Sequence, residues 1–165
     1  MLSNQKNEQD NLLIRAAKEG DITSLLALIK ELAVFEKLSD QFMADEATLK
    51  ENLFGERPYA EVYLAFWQHQ IAGYALYFHN FSTFLGRPGL YIEDIYVREH
   101  LRGKGIGKAL LLQCVKIARA RNCQRVEWLV LNWNPARQFY EKLGAYPLKE
   151  WQVYRLDRQA MDQLS

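Results

Sequence analysis

Three alternating glycines, Gly103, Gly105 and Gly107, lie between a run of strand character over residues 90–97 and an apolar stripe at Leu110, Cys114, Ile117 and Ala118 that has helical spacing. A strand feeding a glycine loop and then a helix requires a crossover, and a further strand at residues 125–131 closes it. That order commits the chain to at least one parallel strand pair with a helix packed on the sheet.

The remaining segments extend this frame. Residues 12–16 form a short apolar strand. Asp21 stands as N-cap before a helix whose inner stripe is Ile22, Leu25, Leu28, Ile29, Leu32 and Phe35. A second helix covers residues 45–53 and stops near Gly55, with Pro58 beyond. Residues 60–67 and 70–78 are rich in aromatic and β-branched side chains and read as a hairpin around Gln68-His69. Residues 82–89, with Gly86, Pro88 and Gly89, read as a loop. The glycine-loop helix runs to about Arg121, Pro135 opens another helix that ends near Gly144, and residues 151–156 supply a last strand. The predicted order is β α α β β β α β α β, an α/β fold with a mixed central sheet and helices on both faces. One domain over residues 11–165 follows a polar, mobile tail at 1–10.

Charge excludes some functions. Lys and Arg number 21 against 20 Asp and Glu, a formal net charge of +1, so no global field draws nucleic acid or an anionic membrane. The N-terminus lacks the apolar core of a signal peptide, and no apolar run is long enough to span a bilayer, so the expected location is cytoplasmic. Cys114 and Cys123 form no C-x-x-C pair and read as reduced packing residues. His69, His79 and His100 have no metal-ligand spacing, and no metal is expected.

The glycine spacing also excludes two common phosphate loops. A P-loop requires G-x-x-x-x-G-K-S/T, whereas Gly103 to Gly107 is one residue short and Ala109 follows Lys108. A dinucleotide fingerprint requires G-x-G-x-x-G, and the third glycine here comes too early. What remains is Q/R-x-x-G-x-G/A before a helix. Small residues there let backbone approach an anion, and the N–H groups of the helix start point at it. Arg102 and Lys104 add positive charge. Taken alone, the loop also fits a glycine-softened turn with solvated cations.

Tyr91-Ile92-Glu93-Asp94-Ile95-Tyr96-Val97, followed by Leu101-Arg102-Gly103-Lys104-Gly105-Ile106-Gly107, resembles the GNAT superfamily of N-acetyltransferases. Phe139-Tyr140-Glu141-Lys142-Leu143-Gly144-Ala145 is similar to that superfamily's final helix. Leu28-Ile29-Lys30-Glu31-Leu32-Ala33, then Phe35-Glu36-Lys37-Leu38-Ser39-Asp40-Gln41, resembles the first helix of the diamine (spermidine/spermine) acetyltransferases, especially the thialysine branch. The resemblance implies acetyl-CoA as co-substrate. Its pantetheine would pair with the backbone of Ile95, Tyr96 and Val97. Its pyrophosphate would rest on Arg102, Gly103, Lys104, Gly105, Ile106, Gly107 and Lys108.

The same resemblance implies roles for single side chains. A primary alkylamine, with a pKa near ~10, arrives protonated and must lose that proton before it attacks. Glu93 matches the family's acid that accepts it, directly or through water, helped if burial raises its pKa. Consecutive residues of a regular strand face opposite ways, so Asp94 shares a pocket with Glu93 only across a bulge, which the family carries here. Tyr140 matches the general acid for the departing thiolate. Phe35, Glu36, Asp94 and Trp151 match substrate contacts. The family's asparagine lies seven residues before the tyrosine. Trp133 fills that spacing and Asn134 follows it, so this turn is one residue shorter and Asn134 is taken as the coenzyme contact. Attack is direct, in a ternary complex, on a small polyamine-like or lysine-like (thialysine) amine, in a homodimer. The rivals are acetylation of protein lysines or N-termini, and a catalytically silent acyl-CoA-binding domain.

Overall fold

A computed structural model of the chain describes residues 11–164. The expected tail at 1–10 lies outside the described residues. The chain divides into two compact units, one ending at Leu129 and one beginning at Val130.

The first unit is built on a five-stranded sheet in the order β1-β2-β3-β4-β5. Its strands are β1 (Leu12–Ala16), β2 (Glu61–Trp67), β3 (Gln70–Ser82), β4 (Arg87–Val97) and β5 (Val126–Trp128). The first three pairings are antiparallel and β4 with β5 is parallel, as the crossover through the glycine-loop helix demands. Helices cover both faces. On one side, α1 (Ile22–Phe35) and α2 (Glu46–Phe54) bury Ile22, Leu25, Leu28 and Leu53 against Val62, Leu64, Tyr74 and Tyr96. On the other, α3 (Ile106–Ala120) buries Leu110, Cys114, Ile117 and Ala118.

Two departures from the sequence expectation concern the long hairpin and its neighbour. Residues 83–86 form a turn, so the loop is shorter than the expected 82–89. β3 continues to Ser82 and β4 starts at Arg87, with Phe81 opposite Pro88 and Asn80 opposite Gly89. Pro88 and Gly89 sit inside the ladder, because the turn ending at Gly86, at φ +59°, reverses the chain tightly enough for pairing to resume at once. β5 covers only residues 126–128, not 125–131. Asp21 is the residue before α1, yet its carboxylate does not cap the helix. It holds the Arg15 guanidinium at 2.7 and 2.9 Å and accepts from the Lys18 N–H.

The helix α3 is fastened at its C-terminal end. Arg121 pairs with Glu61 of β2, one bond being 2.8 Å from Nη2, and Glu61 also accepts from the buried Tyr77 hydroxyl. Among the described residues no helix is long and apolar enough to cross a membrane.

The second unit carries α4 (Ala136–Lys142) and α5 (Arg158–Asp162). Gly144, at φ +93°, closes α4, with the Ala145 N–H bonded to the Tyr140 carbonyl. Residues 151–156 form no strand. A strand needs a ladder, and among its described residues this unit has no other strand to pair with, while Asp157 instead caps α5 through the Ala160 N–H.

Gly73 of β3 tests the sheet. A methyl group there would lie 2.2 Å from the Tyr96 carbonyl oxygen, which is backbone and has no room to yield. Gly73→Ala is expected to lower unfolding stability by about 1–3 kcal/mol in urea titration. An unchanged midpoint would show that the β3–β4 contact is looser than described.

Candidate active site

The centre of the site is an irregularity in β4. The register with β3 runs Leu76 opposite Asp94 and then Tyr77 opposite Ile92, which leaves Glu93 as an extra residue. A bulge of this kind shifts the alternation by one. Before it, Leu90 and Ile92 are buried. After it, Asp94 and Tyr96 share the face of Tyr74, the face covered by α1. The parallel pairing to β5 spans only Leu90, Ile92 and the Tyr91 between them, so it ends where the bulge begins. From Asp94 to Val97, β4 continues past the end of β5.

Asp94 is half-buried, and its pKa is pushed up to about 6. Burial is the main cause. The hydrogen bond from the Tyr74 hydroxyl, at 2.9 Å, acts against it, and the negative charges of Glu93 and Glu36 add to it. Burial likewise raises the Glu36 carboxyl above its ordinary value. The Tyr74 phenol is forced well above its ordinary range by burial and then by Asp94. Two carboxylates therefore act on Asp94 here: Glu36 from the end of α1 and Glu93 from the bulge. Glu93 itself is exposed. The bulge turns Asp94, not Glu93, inward against Tyr74.

α1 is held over this acidic cluster by polar contacts at its C-terminal half. Arg98, just after β4, donates to Glu31 at 2.9 Å from Nη2 and to the Ile71 carbonyl at 3.0 Å. The Tyr96 hydroxyl donates to the same Glu31 at 3.3 Å. These contacts fix where Phe35 and Glu36 stand.

The glycine loop fits a coenzyme A pyrophosphate. Gly103 and Gly105 both have φ of +79°, and a Cβ built at either meets no atom within 4 Å, so open space lies beside the backbone. Gly105 precedes α3 without any side-chain cap, and the first intrahelical bond runs from the Ala109 N–H to the Gly105 carbonyl at 3.0 Å. The N–H groups of Ile106, Gly107 and Lys108 thus have no partner within the helix and face an incoming anion. The loop cations are turned elsewhere. Arg102 donates from Nε to the Val97 carbonyl at 3.1 Å, with its Cζ 4.3 Å from the centre of the Phe35 ring and 5.8 Å from that of Tyr96. Lys104 Nζ lies 5.5 Å from the centre of the Trp67 ring.

In the second unit, Tyr140 lies on α4 with its ring 5.2 Å from that of Phe139, and burial raises its phenol above the ordinary value. Asn134 uses its side-chain oxygen to accept the Ala136 N–H at 2.9 Å, which satisfies the start of α4. Trp151 lies in the irregular stretch before α5, with its N–H on the Leu148 carbonyl. The structure thus joins Phe35, Glu36, Glu93, Asp94 and the loop around one strand end. Sequence reading missed Tyr74, Glu31 and Arg98. The alternation of β3 was the available signal for Tyr74, whereas the Arg98–Glu31 pair bridges segments too far apart in sequence to foresee.

The raised pKa of Asp94 has a signed consequence for stability. A carboxyl whose folded pKa lies above its unfolded value contributes stability below that unfolded value and loses it as pH rises through the folded pKa. Asp94→Asn should therefore leave stability near pH 4 almost unchanged and raise it by about 2–3 kcal/mol at pH 8. Urea midpoints of the two proteins across that range are the check, and a constant difference would mean that Asp94 titrates normally.

Comparison with known proteins agrees with this arrangement. The family model described as Acetyltransferase (GNAT) family matches residues 26–145. The chain is 40% identical over 166 residues to a thialysine N-epsilon-acetyltransferase of Bos taurus, covering 93% of this chain and 97% of that one. It is 33% identical to the L-ornithine N5-acetyltransferase NATA1 of Arabidopsis thaliana, covering 92% and 88%. Among solved structures, an integron cassette protein from the mobile metagenome of V. cholerae superposes with a TM-score of 0.79 at 28% identity, covering 93% and 97%. The bulged strand, the glycine loop and these matches converge: the chain belongs to the GNAT acetyltransferase family and is an acetyl-CoA-dependent N-acetyltransferase.

Proposed function

We propose that the protein acetylates the primary amine of a small polyamine-like or lysine-like molecule, thialysine being the first candidate, by direct attack in a ternary complex. The observation that carries this reading is the bulge at Glu93, which turns Asp94 toward Tyr74 with the negative charges of Glu93 and Glu36 acting on it. Such a cluster complements a cationic chain, and Phe35 beside Glu36 adds an aromatic face that attracts ammonium groups. The relatives named for thialysine and ornithine support the same class, since both substrates end in a primary amine.

Acetyl-CoA, when bound, supplies an acetyl group activated as a thioester. The residues that would hold it are Ile95, Tyr96 and Val97 on the open strand end, Arg102, Gly103, Lys104, Gly105, Ile106, Gly107 and Lys108 at the helix start, and Asn134. Glu93, exposed at the bulge, takes the ammonium proton directly or through water and leaves a nucleophilic amine. Asp94 gains its charge as pH rises through about 6 and holds the cation electrostatically, so amine binding weakens as pH falls through that value. Tyr140 keeps its proton at neutral pH and gives it to the departing sulfur. Residues 11–165 act as one acetyltransferase domain, a reading supported by a family match that runs across Leu129. The working form is a cytoplasmic homodimer without nucleic-acid or membrane partners.

The experiment is a thiol-release assay with acetyl-CoA and thialysine, spermidine, short diamines and a lysine peptide. Turnover on the small amines is expected, and turnover on the peptide alone would replace this reading with protein acetylation. Glu93→Gln should slow turnover on the order of 100-fold or more while the Kd for coenzyme A stays within about twofold. Tyr140→Phe should slow it by a comparable factor, and a wild-type rate in either variant removes that residue from the chemistry.

A further inference from the structure

Arg102 begins the loop that fits a pyrophosphate, yet its guanidinium lies over the last residue of α1. Its Nε is tied to the Val97 carbonyl at 3.1 Å, and its Cζ stands 4.3 Å from the centre of the Phe35 ring. That is a cation on an aromatic face, next to Glu36. It is the arrangement an amine substrate would make with the same two residues. Lys104 shows the same habit on the ring of Trp67. Both Arg102 and Lys104 thus rest on aromatic rings instead of converging on the start of α3.

We infer that Arg102 is an interlock between the two binding sites: it holds the amine's seat on Phe35 until a pyrophosphate at the glycine loop draws it away. This inference rests on the proposed small-amine acceptor. Its physical basis is a difference in strength. An exposed guanidinium gains little from a neutral ring, whereas two phosphate oxygens offer it charge-assisted, bidentate hydrogen bonds. The exchange releases two things at once. The Phe35 face opens to the incoming ammonium, and the Val97 carbonyl becomes free to pair elsewhere. The side-chain position of Arg102 is thus a two-state element that both ligands bias, which is what coupling between sites requires. Coenzyme binding favours amine binding, and by linkage the amine favours the coenzyme by the same factor.

The test is equilibrium binding without turnover. Thialysine is titrated into the full chain alone and into the chain saturated with coenzyme A, which carries no acetyl group to transfer. In the wild type, saturation should tighten thialysine binding about three- to tenfold. In Arg102→Ala, thialysine should bind the free protein about as tightly as it binds the saturated wild type, and coenzyme A should add nothing further. Phe35→Leu gives a second route, because it removes the shared face, and the coupling should fall to about one. NMR of the Arg102 Nε–Hε group supplies a readout independent of affinity. Its proton should be ring-shifted upfield in the free protein, lose that shift in Phe35→Leu, and move to an ordinary position on addition of coenzyme A alone. Equal thialysine affinity with and without coenzyme A in the wild type overturns the interlock while leaving the acceptor reading intact. An Arg102 signal unmoved by coenzyme A does the same. Thialysine, spermidine and short diamines all failing to bind any form would remove the acceptor reading, and the interlock with it.

Discussion

One extra residue in β4 organises the molecule. Hydrogen bonding in a sheet fixes the alternation of side chains, and Glu93 breaks that alternation once. Upstream of it, β4 is paired on both sides, to β3 and to β5. Downstream it keeps only β3 as a strand partner. The same irregularity thus does two things that a regular strand cannot do together. It turns Asp94 toward α1 while the adjacent Glu93 stays exposed, and it coincides with the end of the parallel ladder to β5.

The carboxylate cluster is energetically expensive. Asp94 is half-buried among negative neighbours, and its one direct compensating contact is the Tyr74 hydroxyl. Such an arrangement persists only if the surroundings over-determine it. They do so through α1, whose Glu31 joins Arg98 and Tyr96 at the far side of the cluster and gives that helix a polar anchor in addition to its buried leucines. In the proposed function, a cation arriving at this point would supply the compensation that the Tyr74 hydroxyl alone does not.

Much of this was legible in the sequence, for identifiable reasons. The first helix and the long glycine-loop helix follow from hydrophobic period, because each buries one face against the sheet, whereas β1 follows from its apolar run and the second helix from the end signals Gly55 and Pro58. The loop's spacing, with Glu93 and Tyr140 on either side, pointed to the family that the comparisons show. Three errors have physical causes. Pro88 and Gly89 were taken for loop residues, but a tight turn at Gly86 let pairing reclaim them. Residues 151–156 have the composition of a strand, and composition cannot supply a ladder partner. Residues 125–131 were taken for one strand, but the parallel pairing ends at Trp128, where the bulge at Glu93 begins. The long-range contacts of Arg98 and Arg102 depend on where helices dock, which no local pattern encodes.

The attachment of α3 has a consequence for motion. Arg121 and Glu61 bolt its C-terminal end to the sheet, while its first turn has neither a side-chain cap nor a glycine-free approach. The first turn is held by packing instead, since Ile106 is fully buried there, and only its backbone N–H groups stay open. An anion arriving at that end, as the proposed function requires, would meet donors already in place, so little of its binding free energy would go into ordering them.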